Sequence, residues 1–433
     1  MRKAAIGYWL LAIGQTAAGP IGAQGPPDSA TAAPSHRRAA EPGSELTVAL
    51  LTYEQGELIY ERYGHNAIWI HDAATGADDH YDYGRFSFEQ KNFVLRFLQG
   101  RMWYSMGHES NAAGMIDLYV RQGRKVWMQE LNLAPAERLR LREFLAWNYR
   151  PENRDYAYDY YRDNCSTRIR DALDAALGGA IRRYGEEPSG WTWREETRRL
   201  NQHNKGLYAA LLVVLGQPVD AGMSRWEAMF LPMRLREGLN RITVTGPDGG
   251  IEPAVKTERL VSEGGRWPAP ERPSNWLPGY LVGGALAGIL MALLGRTRGF
   301  VPAATLVALL TGLLGTFMLW AWIFSFHTAG YRNENLLLFN PLWLALAVVL
   351  PSAARGRRWA FNPARRLGAA VAGLAGLGLL VKVLPQFPQH NLEVIGMVLP
   401  LQLAIGLGIR NRVSRVPAVP AVPAVPAAPP SPA

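Results

Sequence analysis

Cysteine is almost missing from this chain: 433 residues hold one, Cys165. A lone cysteine excludes an internal disulfide framework and leaves either a buried apolar residue or a reactive thiol. An excess of acid is missing too, since 46 Lys and Arg face 36 Asp and Glu, a formal net charge of +10. Such a balance invites a nucleic-acid partner, but no nucleic-acid motif is present. Residues 45–275 are mixed and charged and lack long apolar runs, whereas residues 277–410 are strongly apolar, with their basic residues between the runs. Orientation in a membrane explains that spacing better than nucleic acid does.

What is there begins with a targeting segment. Arg2 and Lys3 precede an apolar stretch to about Ala18 and small residues near Ala23. Residues 1–23 are therefore expected to be a secretory signal, or else an N-terminal anchor. Residues 24–44 are rich in Pro, Ala, Ser and Gly and are expected to be a disordered linker. Apolar segments near 277–295, 299–326, 336–353, 366–385 and 392–409 are each about long enough to cross a bilayer. Arg296 and Arg298, the cluster from Arg355 to Arg366, and Arg410 to Arg415 follow alternate segments. The positive-inside rule puts these in the cytoplasm and residues 45–275 outside, in a multi-pass inner-membrane protein with a cytoplasmic C-terminus. The tail, 411–433, with its Val-Pro-Ala repeats, is expected to be extended and unfolded.

The charged half has an α+β pattern. Strands are expected over 45–53, 66–71, 79–86, 101–106 and 125–133, and helices over 88–98, 115–120 and 135–149. A loop over 151–163 precedes a helix from Cys165 to about Leu177, stopped by Gly178 and Gly179. Residues 190–242 read as helical, closing a domain over 45–242, with 243–276 as a linker to the membrane segments. Trp226, Met229, Phe230, Met233 and Leu239 lie at near-helical spacing, a face for the membrane surface or for packing within the domain.

Chemistry gathers at two places. Cys165 opens a helix, where the dipole favours thiolate. Arg162 and Arg168 add to that field and Asp163 opposes it. Asn164 stands where a helix cap or an oxyanion donor belongs. His65, in Tyr63-Gly64-His65-Asn66-Ala67-Ile68-Trp69-Ile70, begins a strand and is a candidate base. Packing remains the competing role for each, more so for His65 alone than for Cys165. The His and Asp residues show no zinc-like spacing, so no metal is expected.

The run Tyr63 to Ile70, followed 100 residues later by Arg162-Asp163-Asn164-Cys165-Ser166-Thr167-Arg168, resembles the circularly permuted branch of the papain-like superfamily. More closely, the chain resembles the Lnb family of bacterial membrane proteins. Residues 215–235 and 326–344 are similar to that family's later segments, and the similarity spans about 45–410. The resemblance implies a permuted papain-like cysteine domain followed by an all-α transmembrane bundle of five helices. It implies acyl transfer from the diacylglyceryl group of a lipoprotein onto its N-terminal cysteine amine, with Cys165 as nucleophile, His65 as acid and base, and no cofactor. The partners are then diacylglyceryl lipoproteins and membrane lipid. An orienting group is expected on the next strand, with Asp82 the first choice and His80 the second, because Asp82 shares the face of His80 and Gly84. His327, Asn333 and Asn335, in the outer loop between the second and third spans, are candidates for completing or gating the substrate site. A peptidase or amidase of cell-wall peptides and a non-catalytic membrane scaffold are the alternatives.

Overall fold

Leu-Thr-Val-Ala-Leu-Leu-Thr-Tyr is a nearly continuous apolar run, the pattern of a strand buried on both faces. In the computed structural model, which describes residues 41–246, 249–264 and 268–413, this run is β1 (Leu46–Tyr53), and only Thr47 escapes full burial. The segment up to residue 40 and the tail beyond 413, expected to be signal, linker and unfolded tail, lie outside the described residues.

After β1 come β2 (His65–Asp72), β3 (Ala77–Arg85), α1 (Phe93–Leu98), β4 (Trp103–Glu109), α2 (Ala112–Arg121), β5 (Val126–Leu131), α3 (Pro135–Asn148), β6 (Asp155–Ala157), α4 (Cys165–Ala176) and α5 (Ala180–Gly185). Then follow β7 (Pro188–Thr192), α6 (Trp193–Asn201), α7 (Lys205–Val214), β8 (Gly222–Ser224), α8 (Arg225–Ala228), α9 (Pro232–Leu239), β9 (Thr243–Thr245), β10 (Ile251–Pro253) and β11 (Val255–Ser262). Seven strands form one antiparallel sheet in the order β11-β5-β1-β2-β3-β4-β6. One face packs Val48, Leu50, Ile68 and Ile70 against Leu145 of α3, Ile169 and Leu173 of α4, and Leu235 of α9. The other packs Ala49, Leu51, Tyr53 and Ala67 against Ile116 and Tyr119 of α2. Two-sided burial is why β1 shows no alternation.

Two stretches depart from expectation. Residues 155–157, read as loop, form the edge strand β6. Residues 243–276, read as linker, supply β9, β10 and β11, and β11 extends the sheet beyond β5. Its Lys256, Glu258 and Arg259 make an exposed edge strand look like a charged loop, which is how exposed edges discourage aggregation. The apolar face from Met229 to Leu239 packs inside the domain: Met229 and Leu239 join the sheet core, while Phe230 and Met233 join a second cluster with Trp193 and Leu200.

The membrane half comprises α10 (Leu277–Leu294), α11 (Phe300–Phe324), α12 (Leu342–Ala354), α13 (Arg358–Leu380) and α14 (Leu392–Val413). With short helical turns added to α12 and α13, five segments are long and apolar enough to cross a membrane. Glycines let backbones touch: a Cβ on Gly284 of α10 would collide with the Gly396 carbonyl of α14, the small-residue contact favoured between membrane helices. The ten-residue apolar helix α7 comes from the other half of the chain. Its Tyr208 and Leu212 are buried with Met318, Leu338, Val394 and Ile395 of the bundle.

Candidate active site

His65, Asp82 and Cys165 are brought together by three elements. Asp82 on β3 pairs with Ala67 on β2, two residues along from His65, so His65 and Asp82 are diagonal neighbours on one face. The His65 Nε2–Asp82 Oδ2 distance is 3.2 Å. Gly84 shares that face and takes φ +93°, and a Cβ placed on it would lie 3.4 Å from Cys165 Cβ. The bare glycine therefore gives the N-terminus of α4 room to lie against β3. Cys165 reaches His65 as a hydrogen-bonding partner. Nε2 is held by Asp82, so Nδ1 is the ring nitrogen not engaged by that carboxylate.

The electrostatics follow from this packing. Burial opposes a charge on His65, but the fields of Tyr119 and Cys165, with hydrogen bonds to Asp82 and Cys165, outweigh it and raise the imidazole well above its ordinary value. Burial works against ionised Asp82 as well. Its hydrogen bond to His65 and the nearby His65 and Arg85 charges prevail, lowering it to about 2. His80 points to the same region but plays another part. It is fully buried, contacts Tyr53 Oη through Nε2 at 3.1 Å, and is lowered to about 4, chiefly by burial. Asp82, not His80, is the group that holds His65.

Several neighbours were not foreseen from the sequence. Arg85 Nε donates to Asp82 Oδ1 at 2.7 Å, and its Nη1 donates to Glu109 at 2.6 Å. Tyr53 stacks on Tyr119 at 3.8 Å, and both rings face His65, with centroids 6.3 Å and 6.0 Å from it. Arg124, buried over the Tyr119 ring, donates to the Glu54 and Tyr53 carbonyls, and its field reaches Cys165. Together they form an aromatic wall and two fixed cations around the imidazole.

Asn164 is a cap. Its Oδ1 accepts from the Ser166 and Thr167 amides at 2.9 Å, and its Nδ2 donates to the Tyr160 and Phe230 carbonyls. Both side-chain donors are engaged, so the expected oxyanion role does not fit this geometry. The Arg168 amide bonds back to the Asn164 carbonyl. Among the described residues, the first-turn amide left without an acceptor is that of Cys165 itself.

The outer-loop candidates divide. His327 donates from Nε2 to the Phe97 carbonyl at 2.7 Å and stacks on Tyr160 at 6.2 Å. Tyr160 in turn meets Tyr158, whose ring borders Gly84. His327 thus sits at the rim of the site. Asn333 and Asn335 serve elsewhere. The Asn333 amide donates to the Val213 and Val214 carbonyls, and that of Asn335 to those of Leu212 and Val213. They cap the end of α7, whose last carbonyls have no partners in their own helix. Their oxygens are occupied too, by the Asn335 and Gln389 donors for Asn333 and by Asn391 for Asn335.

Residues 33–198 match the family model described as the Lnb N-terminal periplasmic domain, and residues 281–361 match the one described as the Lnb transmembrane domain. No curated protein and no solved structure matches the chain. Five apolar helices together with a periplasmic-domain match describe a multi-pass inner-membrane protein.

Proposed function

We propose a function from one premise: the chain belongs to the Lnb family. It is a membrane-bound thiol acyltransferase with a permuted papain-like catalytic domain, and its substrates are diacylglyceryl lipoproteins. The observation that carries this is His65 held between Asp82 and Cys165 at the mouth of a domain interlocked with a membrane bundle.

Cys165 Sγ gives its proton to His65 and attacks the ester carbonyl of one acyl chain. The oxyanion of the tetrahedral intermediate lies at the positive end of α4, where the free Cys165 amide donates to it. The C–O bond breaks, the glycerol oxygen takes the proton from His65, and the acyl chain remains on sulfur as a thioester. The α-amine of the lipoprotein's N-terminal cysteine then attacks the thioester carbonyl. Its proton passes through His65, Cys165 leaves as thiolate and is reprotonated, and the products are an amide and a free glycerol hydroxyl. Splitting one difficult exchange into two steps is what a thiol nucleophile offers. Asp82 keeps the imidazole oriented and supports its charge, and Arg85 holds Asp82.

The decisive experiment is mass spectrometry of lipoprotein N-termini from cells carrying wild-type protein, Cys165→Ala, or His65→Ala. Wild type should yield the N-acylated lyso form. Cys165→Ala should lower its formation by roughly a thousandfold or more, and His65→Ala by roughly 10²–10⁴-fold. Lyso lipoprotein made normally by correctly inserted Cys165→Ala would overturn the mechanism. Unchanged lipoproteins with altered wall peptides would favour a peptidase instead.

A further inference from the structure

Helix α1 is an anomaly in the soluble half, because none of its residues is buried although its sequence is Phe-Val-Leu-Arg-Phe-Leu. Val94 is 69% exposed and Phe88, just before it, 67%. Leu95 and Phe97 are exposed as well, and so are Ile59 and Tyr60. Tyr60 meets the Phe86 ring at 5.8 Å, and Phe86 meets Phe88 and Phe93, so these side chains form one patch. A contiguous apolar surface of this kind marks an interaction site.

Its surroundings identify what covers it. The Gln99 carbonyl just after α1 accepts from the Phe326 amide at 2.8 Å, and the Phe97 carbonyl accepts from His327. A Cβ on Gly100 would lie 2.9 Å from the backbone of Phe326 and His327. Those two residues follow the membrane helix α11 with Ser325 between, and its last turn exposes Ile323 and Phe324. The patch therefore continues the apolar belt of α11 at the depth where that helix leaves the bilayer. Arg101 lies over the Phe326 ring at 5.2 Å, and Lys91 and Arg96 flank the apolar residues. Basic side chains beside aromatic and aliphatic ones are the signature of an interfacial element facing lipid phosphates.

The same patch leads to the thiol. Phe86 packs on Tyr104 at 5.1 Å, Tyr104 stacks on Tyr158 at 4.0 Å, and Tyr158 borders Gly84 beside Cys165. We infer that α1 and the adjoining Ile59–Tyr60 turn are immersed in the outer leaflet of the inner membrane, and that the acyl chain to be transferred approaches Cys165 over this surface. The second clause rests on the acyltransferase assignment above, while the first stands on geometry alone.

The test uses full-length protein in phosphatidylcholine–phosphatidylglycerol vesicles. In a Cys165→Ser background, which removes the only cysteine, Val94→Cys and Thr75→Cys each carry an environment-sensitive fluorophore. Thr75 lies in the β2–β3 turn, about 25 Å from the His65 end of β2 at the usual rise of a strand. Lipids with brominated chains should quench the label at 94 and not the one at 75. Alongside, Leu95→Glu in the otherwise unaltered protein should lower turnover of a bilayer-embedded diacylglyceryl peptide roughly tenfold or more. Its Cys165 should still be alkylated by iodoacetamide at the wild-type rate, since Leu95 is exposed and away from the thiol. An unquenched label at 94 overturns the immersion. Quenching with wild-type turnover in Leu95→Glu overturns the acyl route and leaves immersion standing. Absence of turnover in the wild type, with quenching intact, overturns the acyltransferase assignment alone.

Discussion

His80 and Asp82 stand two residues apart on one strand face, yet acid affects them in different windows. His80 is lowered to about 4 by burial, so between about pH 6.5 and 4 the unfolded chain takes up a proton that the folded site refuses. The stability this gives is present above 6.5 and lost as pH falls through the window, on the order of 3 kcal/mol. Asp82, lowered to about 2, adds a loss only below about pH 4. Raised His65 works in the opposite direction, its contribution being present in acid and lost as pH rises through its folded value. His80→Gln keeps a partner for Tyr53 and should flatten the melting temperature between pH 6.5 and 4 in detergent. A wild-type slope in that variant would move the acid sensitivity to another group. The face shared by His80, Asp82 and Gly84 was legible because strand side chains alternate with period two. Arg85 was not, because an odd separation places it opposite Asp82 in a regular strand. The irregularity between Tyr83 and Arg85, with Gly84 at positive φ, turns Arg85 back to the same side. Arg124 and Tyr119 were hidden for a different reason, since only the packing of α2 and of the turn after it on the sheet brings them near His65.

Helix α4 was legible from its ends: Asn164 at the start, two glycines after Leu177, and apolar spacing between. What the sequence left open was whether Asn164 caps or catalyses, as either role wants the same residue at that position. The geometry separates them, with both amide hydrogens spent on the Tyr160 and Phe230 carbonyls and the oxygen on two helix amides. Asn164→Ala should therefore act through stability. Loss of the cap costs about 1 kcal/mol, and the stranded Phe230 carbonyl adds roughly 1–3 kcal/mol. Asn164→Asp restores the two acceptor bonds and should fall between Ala and wild type in thermal unfolding. If both variants melt like wild type while turnover collapses, Asn164 belongs to the chemistry after all. Helix α7 gave the weakest signal of any element that matters. At ten residues it is too short to span a bilayer. Its role shows only when Asn333, Asn335 and Gln389, distant in sequence, close around its end.

The two halves of the molecule are joined on one side of the bundle. The loop between α11 and α12 and the loop between α13 and α14 both bind the soluble half: Asn333 and Asn335 hold α7, and Gln389 donates to the Leu215 carbonyl. Glu334, nearly buried among these loops, pairs with Lys382 and accepts from Gln217. An ion pair so placed is costly to break from either side, which suits a junction between the two halves. The opposite loops hold Arg296, Arg298, Arg355, Arg357 and Arg358, with Arg410 and Arg412 ending the last span. Were all five candidate helices to cross, an odd number, a soluble half in the periplasm would put the end of α14 in the other compartment and the basic loops with it, as the positive-inside rule requires. A reporter fused after Ala433 should then behave as cytoplasmic, and one inserted in the β9–β10 turn near Gly249 as periplasmic. Both reporters in one compartment would mean that one of the five apolar helices does not cross. The first to suspect would be the one containing α12, which has only thirteen residues of regular helix and reaches spanning length through the Glu334–Leu337 turn. Deleting that turn should then leave the topology unchanged, whereas in a five-span protein it should misplace α13 and α14 and release the soluble half from its anchor.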